Sequence, residues 1–281
     1  MCTYVKFVRS TVLTCVLLLP ASLAAQTPSR QTGTDNEYQT GAVLWTQSSA
    51  EYRALAFQTF SLAKLRLDQN LAQHRSRRRA ARPAIIVDAD ETVLDNSRFQ
   101  AELILRGAAY TPQAWTAWCD RADAGAVPGA VEFLNYAFSH GVHVFYITNR
   151  RQTEKAGTVT NLKQLGFPDV SDDTVMIREQ GATASKESRR QSVRSRYRVV
   201  MLVGDNLNDF NDDFAGKSIA DRKAQVDRER ADFGSQYIVL PNPMYGDWES
   251  AVYGNASNLS EAERRERRRA ALRGITVQPG P

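Results

Sequence analysis

Cysteine is scarce in this chain. There are three in 281 residues, and two of them, Cys2 and Cys15, fall in the first fifteen positions. A chain that has lost its leader keeps only Cys119, so no internal disulfide is possible even in an oxidising compartment. Histidine is equally sparse. His74, His140 and His143 are scattered, in no Cys/His pattern of zinc-ligand spacing, which leaves them structural or surface roles. A Gly-x-x-x-x-Gly-Lys-Ser/Thr loop is absent, which excludes a P-loop NTPase. There is no internal repeat, and low complexity is confined to two arginine-rich runs.

What is present describes an ordinary globular chain: 42% hydrophobic and 24% charged residues. After loss of a leader about 250 residues remain, enough for one large domain or one domain with a cap. The net charge of +5 is uneven. One run holds Arg75, Arg77, Arg78, Arg79 and Arg82. A second holds Arg264, Arg265, Arg267, Arg268, Arg269 and Arg273. Glu261, Glu263 and Glu266 interleave the second run and few aromatics accompany either. Both runs therefore read as solvated helix faces rather than a site for a nucleic-acid polymer.

The N-terminus has the layout of a secretory signal peptide. Lys6 and Arg9 precede an apolar stretch from Thr11 to Leu19, and Ser22 and Ala24 suit cleavage before Ala25. The stretch is too short for a stable membrane anchor. Cys15 lies inside the apolar run beside Thr14, which does not suit lipidation. The expectation is a periplasmic or secreted protein rather than an outer-membrane lipoprotein. The domain plan that follows is a signal peptide at 1–24, a flexible mature N-terminus at 25–40, a folded domain at 41–256, and a basic C-terminal helix and tail at 257–281.

Within the domain, helical and strand-like patterns alternate. Ser48-Ser49-Ala50-Glu51 has the capping-box pattern. Tyr52, Leu55, Ala56, Phe60, Ala63 and Leu67 then follow at helical spacing to about residue 73. Buried strands are predicted at 84–87, 143–147, 174–177, 199–203 and 237–240. Helices are predicted from Pro128 to Gly141, near 152–165, at 186–196, at 217–233 and from the capping box at Ser260. Residues 96–127 contain no strand-like run and read as a helical insertion or cap. The alternation implies an α/β fold, with a parallel Rossmann-like sheet flanked by helices and a small, mainly helical cap.

The chain is organised around residues 84–96. Ala84-Ile85-Ile86-Val87 is a buried strand that ends in Asp88 and Asp90, with Thr92 beyond. In open α/β sheets ligands bind at the C-terminal ends of the strands. Residues two apart in an extended segment face the same side, and two such carboxylates repel unless a cation sits between them or one is protonated. The plain alternative is a strand running into a polar turn, where aspartate is common. Other strand ends add Thr148 and Asn149, then Asp205, Asn206 and Asp209, with Lys186 as an internal cation. Oxygen-only ligands with waters to spare suit Mg2+ rather than zinc. A hard cation, a lysine, a hydroxyl and a central carboxylate fit phosphoryl transfer to aspartate.

Asp88-Ala-Asp90-Glu-Thr92, Thr148-Asn149-Arg150, the lone Lys186 and Gly-Asp205-Asn-Leu-Asn-Asp209-Phe resemble the four motifs of the haloacid-dehalogenase-like phosphohydrolases. With Pro-Asn-Pro-Met-Tyr245-Gly-Asp-Trp-Glu, the pattern from about 43 to 254 is similar to the bacterial class C acid phosphatases, including the lipoprotein e type 5′-nucleotidases. The resemblance implies that Asp88 attacks phosphorus. It implies that Asp90 serves as acid and then base, and binds one Mg2+ ion through its main-chain carbonyl. Asp88 and Asp205 are the implied side-chain metal ligands. For Asp209 the resemblance implies that it holds metal-bound water or orients Lys186. The resemblance further implies that Thr148 and Asn149 bind phosphate oxygens and that Lys186 neutralises the transferring group.

Two further expectations concern the nucleophile and its neighbours. Beside Mg2+ and a lysine, Asp88 is expected to have a depressed pKa, and Thr92 to fix the loop and the orientation of Asp90. The implied substrate is a small phosphomonoester, a 5′-nucleotide in particular. Tyr245, Trp115 and Trp118 are candidates to stack on its base, with cap packing as the alternative for all three. Members of the family are often dimers, which makes a homodimer compatible with the resemblance, although no feature here demands one. Phosphotransfer, hydrolysis of other small phosphate esters, and a non-catalytic binding protein on the same scaffold are the competing readings.

Overall fold

The computed structural model describes residues 1, 36–74 and 81–272. The signal peptide, Cys2, Cys15, the stretch 26–35, Arg75 to Arg79 of the first arginine run and the tail from Arg273 lie outside the described residues.

The described part of the chain begins with a short 3-10 turn, Glu37–Gln39, and helix α1, Thr40–Ser48. The sequence did not announce either, since residues up to 40 lack apolar periodicity. Helix α2 (Ala50–His74) follows at once. Its cap is Ser49, whose Oγ accepts from the Tyr52 amide at 3.0 Å. Ser48 of the capping-box pattern instead closes α1. The buried side chains Tyr52, Ala56, Phe60, Ala63 and Leu67 line one stripe of α2 at the expected spacing.

Strand β1 (Pro83–Val87) leads into a two-residue strand β2 (Leu94–Asp95), then α3 (Ser97–Arg106) and α4 (Pro112–Arg121). Strand β3 (Gly125–Ala126) pairs antiparallel with β2, Leu94 opposite Ala126 and Asp95 opposite Gly125. The cap is therefore helical, as read, but a small ribbon ties its two ends together. Two-residue strands carry no periodicity for a sequence reading to detect. Helix α5 (Ala130–Ser139), β4 (His143–Arg151) and α6 (Lys155–Gln164) come next. They are followed by β5 (Val175–Arg178), α7 (Glu187–Arg194), β6 (Arg198–Gly204) and α8 (Ile219–Arg228). The described chain ends with β7 (Tyr237–Val239), α9 (Asp247–Val252) and α10 (Glu261–Ala271). Helix α8 stops short of the 233 expected, and α9 was not anticipated.

The five long strands form one parallel sheet in the order β5-β4-β1-β6-β7. β1 is the centre, with Val87 opposite Tyr146 on one side and Val203 on the other. Burial on both faces explains its uninterrupted apolar run. Ile85, Val87, Val144, Tyr146, Met201 and Val203 join α2 and α5 in one core layer, where Phe60 and Phe133 lie 5.7 Å apart. Ala84, Ile86, Phe145, Ile147 and Leu202 meet Val193 of α7 and Phe210 on the opposite face. This period-two split is that of a strand buried on both sides. No helix among the described residues is long and apolar enough to cross a membrane.

Candidate active site

The C-terminal ends of β1, β4 and β6 meet at one edge of the sheet. Asp88 follows β1 directly and its amide donates to the Val203 carbonyl at 2.9 Å, which pins it to β6. Lys186, the residue before the first turn of α7, is buried and donates both to Asp88 Oδ1 and, at 2.7 Å, to Asp209 Oδ1. The other oxygen of Asp209 accepts from the Asn206 amide at 3.0 Å. Gly204 lies under Asp209: a Cβ there would meet Asp209 Cγ at 2.8 Å. Asp205 accepts from Thr92 Oγ1 at 3.0 Å and from Asn242 Nδ2 at 2.8 Å. Thr92 thus orients Asp205, not Asp90 as its sequence proximity suggested. The turn after Asp90 folds its hydroxyl back toward β6.

Asp88, Asp205 and Asp209 each present one carboxylate oxygen, all within 4.8 Å of one another, a set that could hold a divalent cation. Their electrostatics fit such an occupant. Burial raises the Asp88 pKa well above the usual carboxylate range, and neighbouring carboxylates add to it, against the pull of Lys186. Burial and then Asp209 push Asp205 up to about 7. Burial also works against the charge on Lys186, but Asp209 and Asp88 outweigh it and its pKa is raised. The depressed pKa expected for Asp88 is therefore not supplied by protein groups alone. A hard cation among three oxygen donors would supply it.

Asp90 lines the same cavity but has a different set of partners. Its Oδ1 accepts from Arg150 Nη2 at 2.8 Å and Nε at 3.0 Å, and from Asn96 Nδ2 at 2.9 Å. Its Oδ2 accepts from Thr148 Oγ1 at 3.2 Å. The side chain of Asp90 is accordingly not among the grouped metal-ligand oxygens. Burial opposes the Arg150 charge, yet Asp90 more than offsets it and the guanidinium pKa is raised. Arg150 also donates to Thr158 Oγ1 at 3.0 Å and sits 5.3 Å from the centre of the Trp115 ring. Glu91 takes a left-handed φ of 57°, rare for a residue with a side chain, and its buried carboxylate accepts from the Asn96 amide at 2.9 Å. Sequence reasoning assigned no role to Arg150, Asn96, Glu91 or Asn242, although all four lie in or beside the quoted motifs.

Thr148 is fully buried, with its hydroxyl given to Asp90. The Asn149 amide group bridges Ala184, as donor at 2.8 Å, and Arg189, as acceptor at 2.8 Å. Above these residues opens a cavity of about 960 Å³ that reaches Asp88, Asp90, Asn149 and Lys186. Trp115 and Tyr245 line it, together with Tyr38 and Tyr110, which the sequence did not single out. Trp118 does not. It is buried in the cap and its indole N–H donates to Asn96 Oδ1 at 2.8 Å, which is the packing alternative for that residue.

The model of the HAD superfamily, subfamily IIIB (acid phosphatase) matches residues 18–248. The chain is 38% identical to the class C acid phosphatase from Bacillus anthracis. The tungstate-bound structure of that protein superposes with a TM-score of 0.81, and a second with 0.80, over 86% of this chain and 99% of that one. Among curated proteins it resembles the "Stem 31 kDa glycoprotein" of Glycine max, 25% identical over 164 residues, and "Acid phosphatase 1" of Solanum lycopersicum, 27% identical over 166. These matches cover 57% of this chain and 58% and 57% of the two plant proteins.

Proposed function

Since the chain belongs to the acid phosphatases of the HAD superfamily, subfamily IIIB, we propose that it hydrolyses small phosphomonoesters, 5′-nucleotides among them, through an aspartyl-phosphate on Asp88. The observation that carries the reading is Lys186 shared between Asp88 and Asp209, with Asp205 beside them and Asp90 two residues along the same strand end. Asp88 forms the new bond to phosphorus as the ester oxygen leaves, and Asp90 delivers the proton that oxygen needs. Water then attacks the aspartyl-phosphate, Asp90 takes its proton, and inorganic phosphate departs with Asp88 restored. Lys186 offsets the negative charge gathered around phosphorus. Asp88, Asp205 and Asp209 would hold Mg2+, whose charge would offset that of the carboxylates and the transferring group.

Nucleotide preference is supported by Trp115 and Tyr245 on the cavity wall, flat faces on which a base can stack. The compartment proposed is the periplasm or the exterior, from the charged and apolar layout of residues 6–25. The test is release of inorganic phosphate from 5′-nucleotides, 3′-nucleotides and sugar phosphates, with and without Mg2+, for the wild type and Asp88→Asn. Metal-dependent release by the wild type, lost in the variant, is expected. Absence of turnover on every ester would overturn the enzymatic reading, and equal rates across the panel would overturn the nucleotide preference alone.

A further inference from the structure

Helix α7 does more than carry Lys186 at its N-terminal end. Its first turn presents two arginines in succession, and they reach in different directions. Arg189 donates to the Thr148 carbonyl at 2.5 Å, to Asn149 Oδ1 at 2.8 Å and to the Ser185 carbonyl at 3.0 Å. Arg190 donates to the carbonyls of Asn208 at 2.9 Å and Asp209 at 3.2 Å, and to Asp212 Oδ1 at 2.9 Å. One arm therefore holds the tip of β4, and the other holds the turn that follows β6.

This arrangement answers a mechanical problem. A lysine ends in a compact charge on four rotatable carbons, so its stem does little to fix where that charge lies. Its ammonium is held at one end by Asp88 and Asp209, and at the other by the backbone that carries the stem. A guanidinium is a planar fork of five donors and can lock several acceptors at once. Arg190 is fully buried and its charge is met by Asp212 and Glu187. The hydrogen-bond acceptors of Arg189 are neutral oxygens throughout. Burial lowers its pKa, a cost accepted with no carboxylate hydrogen-bonded in return.

We infer that Arg189 and Arg190 are positioning residues, a two-armed bracket that sets the place of Lys186 relative to the tips of β4 and β6. The inference rests on the proposed phosphatase reading and extends it. Neither arginine needs to touch substrate. Their work is to keep the ammonium, the Thr148–Asn149 strand end and the Asp209 turn in one register while Asp88 gains and loses the phosphoryl group.

The experiment uses the full chain with p-nitrophenyl phosphate as substrate and vanadate as a mimic of the transferring group. Arg189→Ala should lose about tenfold to a hundredfold in kcat, because small misplacements of catalytic groups have effects of that size. Vanadate inhibition should weaken in parallel, while KM changes less. Guanidinium ion at millimolar concentration should restore part of the lost kcat in Arg189→Ala. It should not do so in Arg189→Lys, where the space is filled, nor in Lys186→Ala. Arg189→Ala with kcat within about twofold of wild type would overturn the bracket. So would a loss that follows the unfolded fraction and does not respond to guanidinium. Arg190→Lys is the companion variant, and if it does not fold the Arg189 set decides the matter. A wild type inactive on every ester strikes the parent reading instead, and is seen before any variant is made.

Discussion

Arg150 grips Asp90 side-on, with Nη2 at 2.8 Å and Nε at 3.0 Å from the same carboxylate oxygen. The Arg150 side chain is 1% exposed and that of Asp90 19%. Removing Arg150 leaves the half-buried Asp90 carboxylate without its counter-charge, held only by Asn96 and Thr148. Arg150→Met should therefore lower unfolding free energy by about 3–5 kcal/mol, read by urea denaturation. A loss under about 1 kcal/mol would mean that Asn96, Thr148 and water suffice to hold Asp90.

Gly204 and Gly157 are both places where an added methyl has nowhere to go, with different consequences. At Gly204 it would collide with the Asp209 side chain. Asp209 would be displaced from Lys186, so Gly204→Ala should reduce kcat by about tenfold or more and weaken any response to a divalent cation. At Gly157 the methyl would land on the main-chain carbonyl of Cys119, where α4 meets α6. Gly157→Ala should instead appear as a stability loss of about 1–3 kcal/mol. A metal titration of one and a denaturation curve of the other separate the two.

Trp115 and Tyr245 line the cavity, whereas Trp118 is locked into the cap. Truncating Tyr245 or Trp115 to alanine should raise KM for a 5′-nucleotide by the equivalent of about 1–3 kcal/mol. KM for glycerol phosphate, which has no ring to stack, should stay near the wild-type value. Parallel changes for both substrates would count against stacking. Trp118→Ala should cost about 3–5 kcal/mol of stability.

Burial pushes the Cys119 thiol up to about 12. The thiolate is the reactive form, so the folded protein should resist a thiol reagent at pH 8. The sign of the linked stability effect follows. An unfolded chain releases this proton above about pH 8.5, whereas the folded chain retains it, so stability falls as pH rises between the two values, by up to about 1.4 kcal/mol per unit. The check is labelling with and without urea in a chain carrying Cys2→Ser and Cys15→Ser. Prompt labelling of the folded form would refute the burial argument.

The five sheet strands and the grouping of Asp88, Lys186, Asp205 and Asp209 were legible because they rest on local rules. A buried parallel strand has to be apolar throughout, and the polar residue after it has to emerge at the binding edge. What escaped depended on the folded whole. Arg150 stood inside a quoted motif, but nothing local says that its charge turns inward to Asp90. Thr92 stands two residues from Asp90 in sequence and serves Asp205, 113 positions away. The β2–β3 ribbon exists only because the ends of the cap are brought together. Helix α1 has too few buried positions, Val43 and Thr46, to print a stripe.

The cap leaves the sheet domain at Leu94–Asp95 and returns at Gly125–Ala126, and those four residues are paired. Exit and re-entry are thus one point, as in a cassette on a single hinge plate. The joint is separate from the five-stranded sheet, and the cap reaches the phosphoryl chemistry through Asn96, which donates to Asp90, and Trp115, which lies against Arg150. A foreign loop grafted at this joint would alter which leaving groups are admitted without rewriting the reaction. The graft would need to preserve three seams: Asn96 against Trp118, Trp115 against Arg150, and the close approach of Cys119 to Gly157.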